Sequence, residues 1–207
     1  MKQSKILSAI VIWFIVFQAL ELTCQGQTPA GNKENPLSFE IGFARTNILG
    51  ITFPGMNAHY IFFLSKRIGT GLSLFTVQSQ VNQNFGYSII NPQVLFNQYG
   101  WINQFILINN KYIKLKLNFT NGLSQIRILQ DSRQYNSGQY IFPPNLARDF
   151  YYFVQPGTDL SLRLFSSLYL TGGLNYRFLF GKGNFSNRRD FQNSSFCLGL
   201  TVMNSKK

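Results

Sequence analysis

From Leu168 onward, apolar and polar residues alternate without a break. Leu168, Leu170, Gly172, Leu174, Tyr176, Phe178 and Phe180 share one parity, and Thr171, Gly173, Asn175 and Arg177 share the other. Successive side chains of a β-strand point to opposite faces, so this stretch makes a ribbon with one apolar and one polar face. An arginine stands in the middle of the polar face, and the same alternation restarts several times along the chain. Two all-β solutions fit such a ribbon. A soluble protein turns the apolar parity inward and the arginine to water, whereas a membrane barrel turns apolar side chains to lipid and charges to its lumen.

The first residues and the composition favour the membrane solution. Lys2 and Lys5 precede an apolar run from Ile6 to Val16, and Cys24 and Gly26 supply small residues before an expected cut after Gly26. This is the layout of a secretory signal peptide, and the run is too short to span a bilayer comfortably. A lipoprotein cut before Cys24 is the alternative, although Glu21 stands where a lipobox wants an apolar residue. Loss of Lys2, Lys5 and Glu21 leaves 17 basic and 6 acidic residues, a net charge of +11 against +12 for the whole chain. The remaining 181 of 207 residues suffice for one domain, and Cys197 is left without an internal disulfide partner. No later apolar run reaches the length of a transmembrane helix, so a membrane-embedded domain has to cross as strands. Charged residues make up 13% of the chain and aromatic residues 16%, a balance that suits a surface facing lipid.

Turn signals divide residues 37–204 into eight expected strands, after a tail covering 27–36. The first runs from Leu37 to Thr46 and is followed by a loop from Gly50 to Asn57. The second runs from about His59 to Lys66, and Arg67-Ile68-Gly69-Thr70-Gly71 turns into the third, Leu72 to Val81. The fourth covers about Asn97 to Ile108, and Asn109-Asn110 is a hairpin signal before a fifth in which Ile113, Leu115, Leu117 and Phe119 alternate with Lys114, Lys116, Asn118 and Thr120. Residues from about Leu129 to Arg148 read as a long loop. The sixth strand runs from Phe150 to Phe165 with a bulge expected at Pro156-Gly157, because proline cannot donate to a ladder. The seventh is the ribbon already described. A loop from Gly181 to Ser194 leads to an eighth strand that sets Phe196, Leu198, Leu200 and Val202 against Cys197, Gly199, Thr201 and Met203.

Connections that alternate long and short around an even number of antiparallel strands match an up-and-down transmembrane barrel with both termini at the end bearing the short turns. Over roughly residues 37 to 204 the chain resembles the eight-stranded outer-membrane β-barrel proteins of the OmpA and OmpX type, in the form common in Bacteroidota. The resemblance rests on the signal with Gln27 at the expected new N-terminus, the strand count, and the run from Val154-Gln155-Pro156-Gly157 to Tyr176-Arg177-Phe178. It implies a protein of the bacterial outer membrane and does not by itself assign a function.

With the apolar parity on lipid, the lumen receives Glu40, Lys114, Lys116, Asp159, Arg163 and Arg177. An eight-stranded barrel is just wide enough for side chains to fill, so these groups are expected to pair and plug the interior, with a narrow channel as the alternative. Lys116 and Asp159 fall at similar heights on neighbouring strands. Lys114 and Arg163 lie close enough to repel, and Glu40 is the expected counter-charge, since an unpaired buried charge costs several kcal/mol. Arg177, higher up, has no carboxylate assigned to it.

Catalysis finds little support. His59 is the single histidine, so a His-based metal site is excluded within one chain, and Cys197 lacks ligand spacing. Ser65 lies ~20 Å from His59 along an extended strand, too far for nucleophile activation. No cofactor is implied. Tyr60, Tyr99, Trp101, Tyr151, Tyr152 and Tyr176 are expected to form headgroup girdles. Basic residues are dispersed in an exported chain, which argues against nucleic acid. Lys182, Arg188 and Arg189 in the last loop, with Arg133 and Arg148, are expected to meet phosphates of surface glycolipid or else stand solvated. The expected role is a structural or surface-interacting barrel, or an accessory subunit beside an envelope protein partner. A soluble lipocalin-like carrier of an apolar ligand is the competing class, though the first strand lacks the tryptophan such carriers place there.

Overall fold

The computed structural model of the chain describes residues 37–81, 92–129 and 145–204. The expected signal segment, the 27–36 tail and Arg133 lie outside these residues. The strands in chain order are β1 (Leu37–Ile48), β2 (Ile51–Phe63), β3 (Ile68–Gln80), β4 (Gln93–Asn109), β5 (Ile113–Leu129), β6 (Asn145–Arg163), β7 (Leu168–Tyr176), β8 (Phe178–Phe180) and β9 (Ser194–Asn204). Neighbours pair antiparallel in the order β5-β4-β3-β2-β1-β9-β7-β6, and a β5–β6 ladder closes the ring. β7 and β8 both lie against β6 and are separated by Arg177 alone, so they form one stave and the barrel has eight. Closure pairs every stave on both sides and leaves no open sheet edge for lipid to meet.

Sidedness follows the alternation in the sequence. Leu72, Leu117, Leu162, Leu174, Leu198 and Leu200 are exposed on the outside, and Phe43 is 71% exposed. Glu40, Lys116, Asp159 and Arg177 are buried inside, at 6% exposure or less. A water-soluble domain with this arrangement would solvate its leucines and bury its charges, the reverse of what the hydrophobic effect drives. The arrangement is stable with hydrocarbon outside, and the fold is an all-β, closed, eight-stranded transmembrane barrel.

Residues 64–67, 110–112 and 164–167 connect strands at the end where β1 begins and β9 finishes, called here the inner end. Residues 49–50, 81–92, 130–144 and 181–193 connect strands at the outer end. The expected Gly50–Asn57 loop is therefore corrected. β1 and β2 stay paired up to Ile48 and Ile51, joined by Leu49 and Gly50 with φ of 54° and 76°. Two successive left-handed residues make the tight hairpin whose twist matches that of the strands it joins. Pro54 and Gly55 disguised the strand. Pairing of β2 with β3 starts only at Met56, so Pro54 sits where β2 has β1 as its sole ladder partner, a place where a missing N–H is tolerated.

The expected bulge at Pro156-Gly157 is absent, since Phe119 pairs with Pro156 and Asn118 with Gly157 in unbroken register. The missing donor shows instead as a gap on the other side of β6, where pairing stops between Gly157–Asn175 and Val154–Phe178. Register shifts fall instead at Leu107, between Ile106 and Ile108 of β4, and at Leu146 of β6, where Ile128–Ala147 is followed by Leu129–Asn145.

The interior is layered. At the outer end Ile48, Phe53, Val77, Val94, Phe96, Ile126, Tyr151, Phe153, Leu179 and Phe191 form an apolar plug. Tyr151 is thus 2% exposed inside the barrel and does not join the girdle, whereas Tyr60, Tyr99, Trp101, Tyr152 and Tyr176 are exposed on the outside. A smaller cluster of Ile61, Phe63, Ile102 and Ile106 lies on the β2 and β4 wall nearer the inner end.

Candidate functional site

Charge inside the barrel is gathered around Lys116. Ladder register sets it opposite Asp159, and its Nζ lies 3.9 Å from Asp159 Oδ2 and, across the lumen, 3.4 Å from Glu40 Oε2. Glu40 is also held from its own side. Thr201, its register partner on β9, donates from Oγ1 to Glu40 Oε2 at 3.0 Å. Thr201 Oγ1 is 2.7 Å from Thr171 Oγ1, which is 2.8 Å from Ser161 Oγ. On the other flank Asn118 Nδ2 donates to Asp159 Oδ2, and Gln104 Nε2 donates to Asn118 Oδ1 at 2.9 Å. The belt draws on β1, β9, β7, β6, β5 and β4, so the lumen at this height is filled by bonded side chains. Gly173, opposite Asp159 in the ladder, makes room for the carboxylate, because a Cβ there would overlap Asp159 Oδ1.

Lys114 and Arg163 are not neutralised by Glu40, contrary to the sequence expectation. Lys114 Nζ contacts Met203 Sδ at 2.9 Å and lies 4.7 Å from the centroid of the Tyr169 ring. Arg163 donates to the carbonyls of Phe165 at 2.9 Å, Ser166 at 2.7 Å and Lys111 at 3.4 Å. Both sit closer to the inner rim than Lys116, where a thioether and a ring for Lys114 and carbonyls for Arg163 take the place of a carboxylate. Lys116, deeper in, has no such access and takes both acids.

Arg177 lies between the belt and the plug. Its Nε donates to Gln98 Oε1 at 3.0 Å, and Nη1 reaches Thr46 Oγ1 at 3.4 Å and the Phe191 carbonyl at 3.5 Å. The guanidinium packs 4.5 Å from the Phe96 ring centroid and 5.0 Å from that of Phe75. Ring faces and neutral oxygens thus accommodate the cation without a carboxylate.

Beneath Arg177 is a cavity of about 20 Å³ bordered by Glu40, Asn57, His59, Gln98, Gln155 and Asp159. This is room for a water molecule or so, far short of a small-molecule pocket. His59 is lumen-facing in mid-strand, with Nε2 3.2 Å from Asn57 Nδ2, and not at the outer end where the second strand was expected to begin. Ser65 accepts from the Arg67 and Ile68 backbone N–H groups in the turn, at 3.3 and 3.1 Å, and takes no part with His59. Among the described residues no group of three His, Cys, Asp or Glu side chains has metal-holding geometry.

The last connection folds over the outer mouth. A turn of 3₁₀ helix, Arg188–Phe191, is capped by Asn187. It drives Phe191 into the plug against Phe96, with ring centroids 5.7 Å apart. Asp149 accepts from the backbone N–H groups of Asn184 at 2.8 Å, Phe185 at 3.1 Å and Ser186 at 3.0 Å, and from Ser186 Oγ at 2.8 Å. Tyr151 donates to the Ser186 carbonyl at 2.7 Å. Sequence reasoning did not single out Asp149 or Phe191, and it placed Tyr151 in a girdle. The available signal was the inward parity of Asp149 and Tyr151 around the expected strand start. Of the expected glycolipid contacts, Lys182 and Arg189 are exposed and Arg188 half-buried on this segment, and Arg148 is exposed on β6.

No protein-family model matches the sequence, and no curated protein matches it. Solved structures do resemble it in fold. The attachment invasion locus protein Ail of Yersinia pestis, crystallised with the heparin analogue sucrose octasulfate, aligns with a TM-score of 0.52 at 15% identity, over 83% of this chain and all of that one. Neisserial surface protein A aligns with a TM-score of 0.55 at 11% identity over 84% and 97% of the two chains. A major outer membrane protein of Thermus thermophilus gives 0.56 at 10% identity over 81% and 99%. The described residues of this chain therefore have the fold of small outer-membrane β-barrel proteins.

Proposed function

We propose that the protein resides in a bacterial outer membrane, of the Bacteroidota type the sequence resemblance implies, and works through its outer rim as a structural and surface-interacting component or as an accessory subunit of an envelope complex. It neither conducts nor catalyses. One observation carries this reading: the lumen is crossed at two levels, by the Glu40–Lys116–Asp159 belt and by the plug that Phe191 completes. The cavity of about 20 Å³ between them has room for about one water molecule, which argues against a path for hydrated ions or a substrate site. Nor does it hold an apolar ligand of the kind a lipocalin carries. What the interior does not offer, the rim does, with Lys182, Arg188 and Arg189 on the capping segment facing surface glycolipid or a protein partner.

The test combines localisation, conductance and contact. The full-length protein is expected in the outer-membrane fraction, silent in planar bilayers, and crosslinked to envelope components by a photoreactive residue at Arg189. Recovery in the periplasmic supernatant, or stepwise ionic conductance, overturns the reading.

A further inference from the structure

Three rows of outward-facing side chains climb the wall formed by β3, β4, β5 and β6. The lowest is apolar and aromatic: Leu74, Tyr99, Leu123 and Tyr152 are register partners in sequence. Above it stand Thr76, Asn97, Gln125 and Phe150, with Thr76 Oγ1 donating to Asn97 Oδ1 at 2.7 Å. The third row is Gln78, Leu95, Arg127 and Arg148. Polarity changes over two rows, which places the hydrocarbon boundary at the Tyr99–Tyr152 level and the third row among headgroups.

Arg127 and Arg148 are direct cross-strand partners on one face, the arrangement that like charges disfavour in a sheet. Nothing described relieves it. Among the described residues both salt bridges belong to Lys116, and the nearest acid in sequence, Asp149, points inward and is committed to the capping segment. The Arg148 guanidinium lies 5.6 Å from the centroid of Phe150, one row down toward the bilayer, and Arg127 Nε is buried with no hydrogen-bond partner. Two guanidinium groups at neighbouring register positions each offer paired N–H donors of the kind that bind a tetrahedral oxyanion.

We propose that Arg127 and Arg148 clamp a phosphate group of an outer-leaflet lipid, on the outer wall of the barrel and apart from the capping segment. This rests on the membrane reading above. The clamp neutralises two cations that otherwise repel, and it fixes the height and rotation of the barrel in the outer leaflet. The lipid class is one whose phosphate stands at the hydrocarbon boundary, as in a phosphorylated glycolipid.

Wild-type protein, R127Q/R148Q and K66Q/R67Q are reconstituted in phosphatidylcholine nanodiscs with increasing diphosphorylated lipid A or its dephosphorylated form, and bound glycolipid is counted by native mass spectrometry. Heat-dependent gel migration separately reports whether each barrel is folded, so failure of the wild type there sinks the membrane reading and not the clamp. The clamp predicts at least about tenfold weaker retention of the phosphorylated lipid in R127Q/R148Q, which loses both charge-assisted contacts. It also predicts near-wild-type retention in K66Q/R67Q, which removes an exposed basic pair from an inner-end turn, and no difference among variants for the dephosphorylated lipid. Undiminished retention in folded R127Q/R148Q overturns the proposal. So does equal retention of both lipids by the wild type, or displacement of the lipid by equimolar inorganic phosphate, which would mark a site for free anion.

Discussion

Lys116 and Glu40, 76 positions apart in sequence, meet across the lumen with Nζ 3.4 Å from Oε2, and that contact joins the β5 wall to the β1 wall. A buried ion of this kind is costly to strand, because desolvation has already been incurred by both partners. Lys116→Met leaves both Glu40 and Asp159 without a cation and is therefore expected to lower barrel stability by about 3–5 kcal/mol, read from urea unfolding in detergent. The triple variant E40Q/K116M/D159N, which removes all three charges, should recover most of that loss. Equal stability of wild type and K116M would show that the ion cluster does not hold the walls together.

Asp149 gathers three backbone donors and one hydroxyl from the segment that caps the outer mouth. Asp149→Ala should release that segment while leaving the staves paired. Lys182, Arg188 and Arg189 then become trypsin sites, and cleavage there in detergent-solubilised protein should rise markedly over wild type. Phe191→Ala should show the same sensitivity with a loss of about 3–5 kcal/mol, since it empties a fully buried aromatic site.

Arg177 contacts two rings and neutral oxygens and no acid. A methionine fills comparable space against Phe75 and Phe96 and forfeits the bonds to Gln98, Thr46 and the Phe191 carbonyl, so Arg177→Met should cost about 1–3 kcal/mol. Arg177→Ala should cost more, because it adds a cavity to the same lost bonds. Thermal unfolding of the two variants in one detergent distinguishes them, and an alanine variant as stable as the methionine variant would contradict the packing role.

Leu72 is 55% exposed on the outside of β3. In a water-soluble protein an arginine at such a place is neutral. On a lipid face it is costly, by up to about 2–4 kcal/mol at the midplane and less toward the interfaces. Leu72→Arg should reduce folding into phosphatidylcholine vesicles, measured by heat-dependent gel migration, while Leu72→Phe should not. Unimpaired insertion of L72R would contradict the sidedness on which the membrane reading stands.

The alternation of Leu168 to Phe180, and of Ile113 to Thr120, was enough to define staves and their two parities, and the low charge and high aromatic content then favoured the apolar parity facing outward. That is because strand periodicity is local and a single misplaced parity would put charge into hydrocarbon. The stave count and the inward placement of Glu40, Lys116, Asp159 and Arg177 follow from the same rule. Turn chemistry was less reliable. Pro54 and Gly55 read as loop because their tolerance depends on whether a neighbouring strand demands an N–H, and only the staggered start of the β2–β3 ladder answers that.

What tertiary structure alone decided is who meets whom around a closed ring. Glu40 takes Lys116 in preference to Lys114 or Arg163, Tyr151 turns into the plug, and Phe191 seals the mouth from a connection that read as plain loop. Arg127 and Arg148 become neighbours only when β5 and β6 zip with the register observed. Each of these depends on the shear of the barrel, a global quantity set by closing eight staves at once, and no stretch of sequence carries it locally.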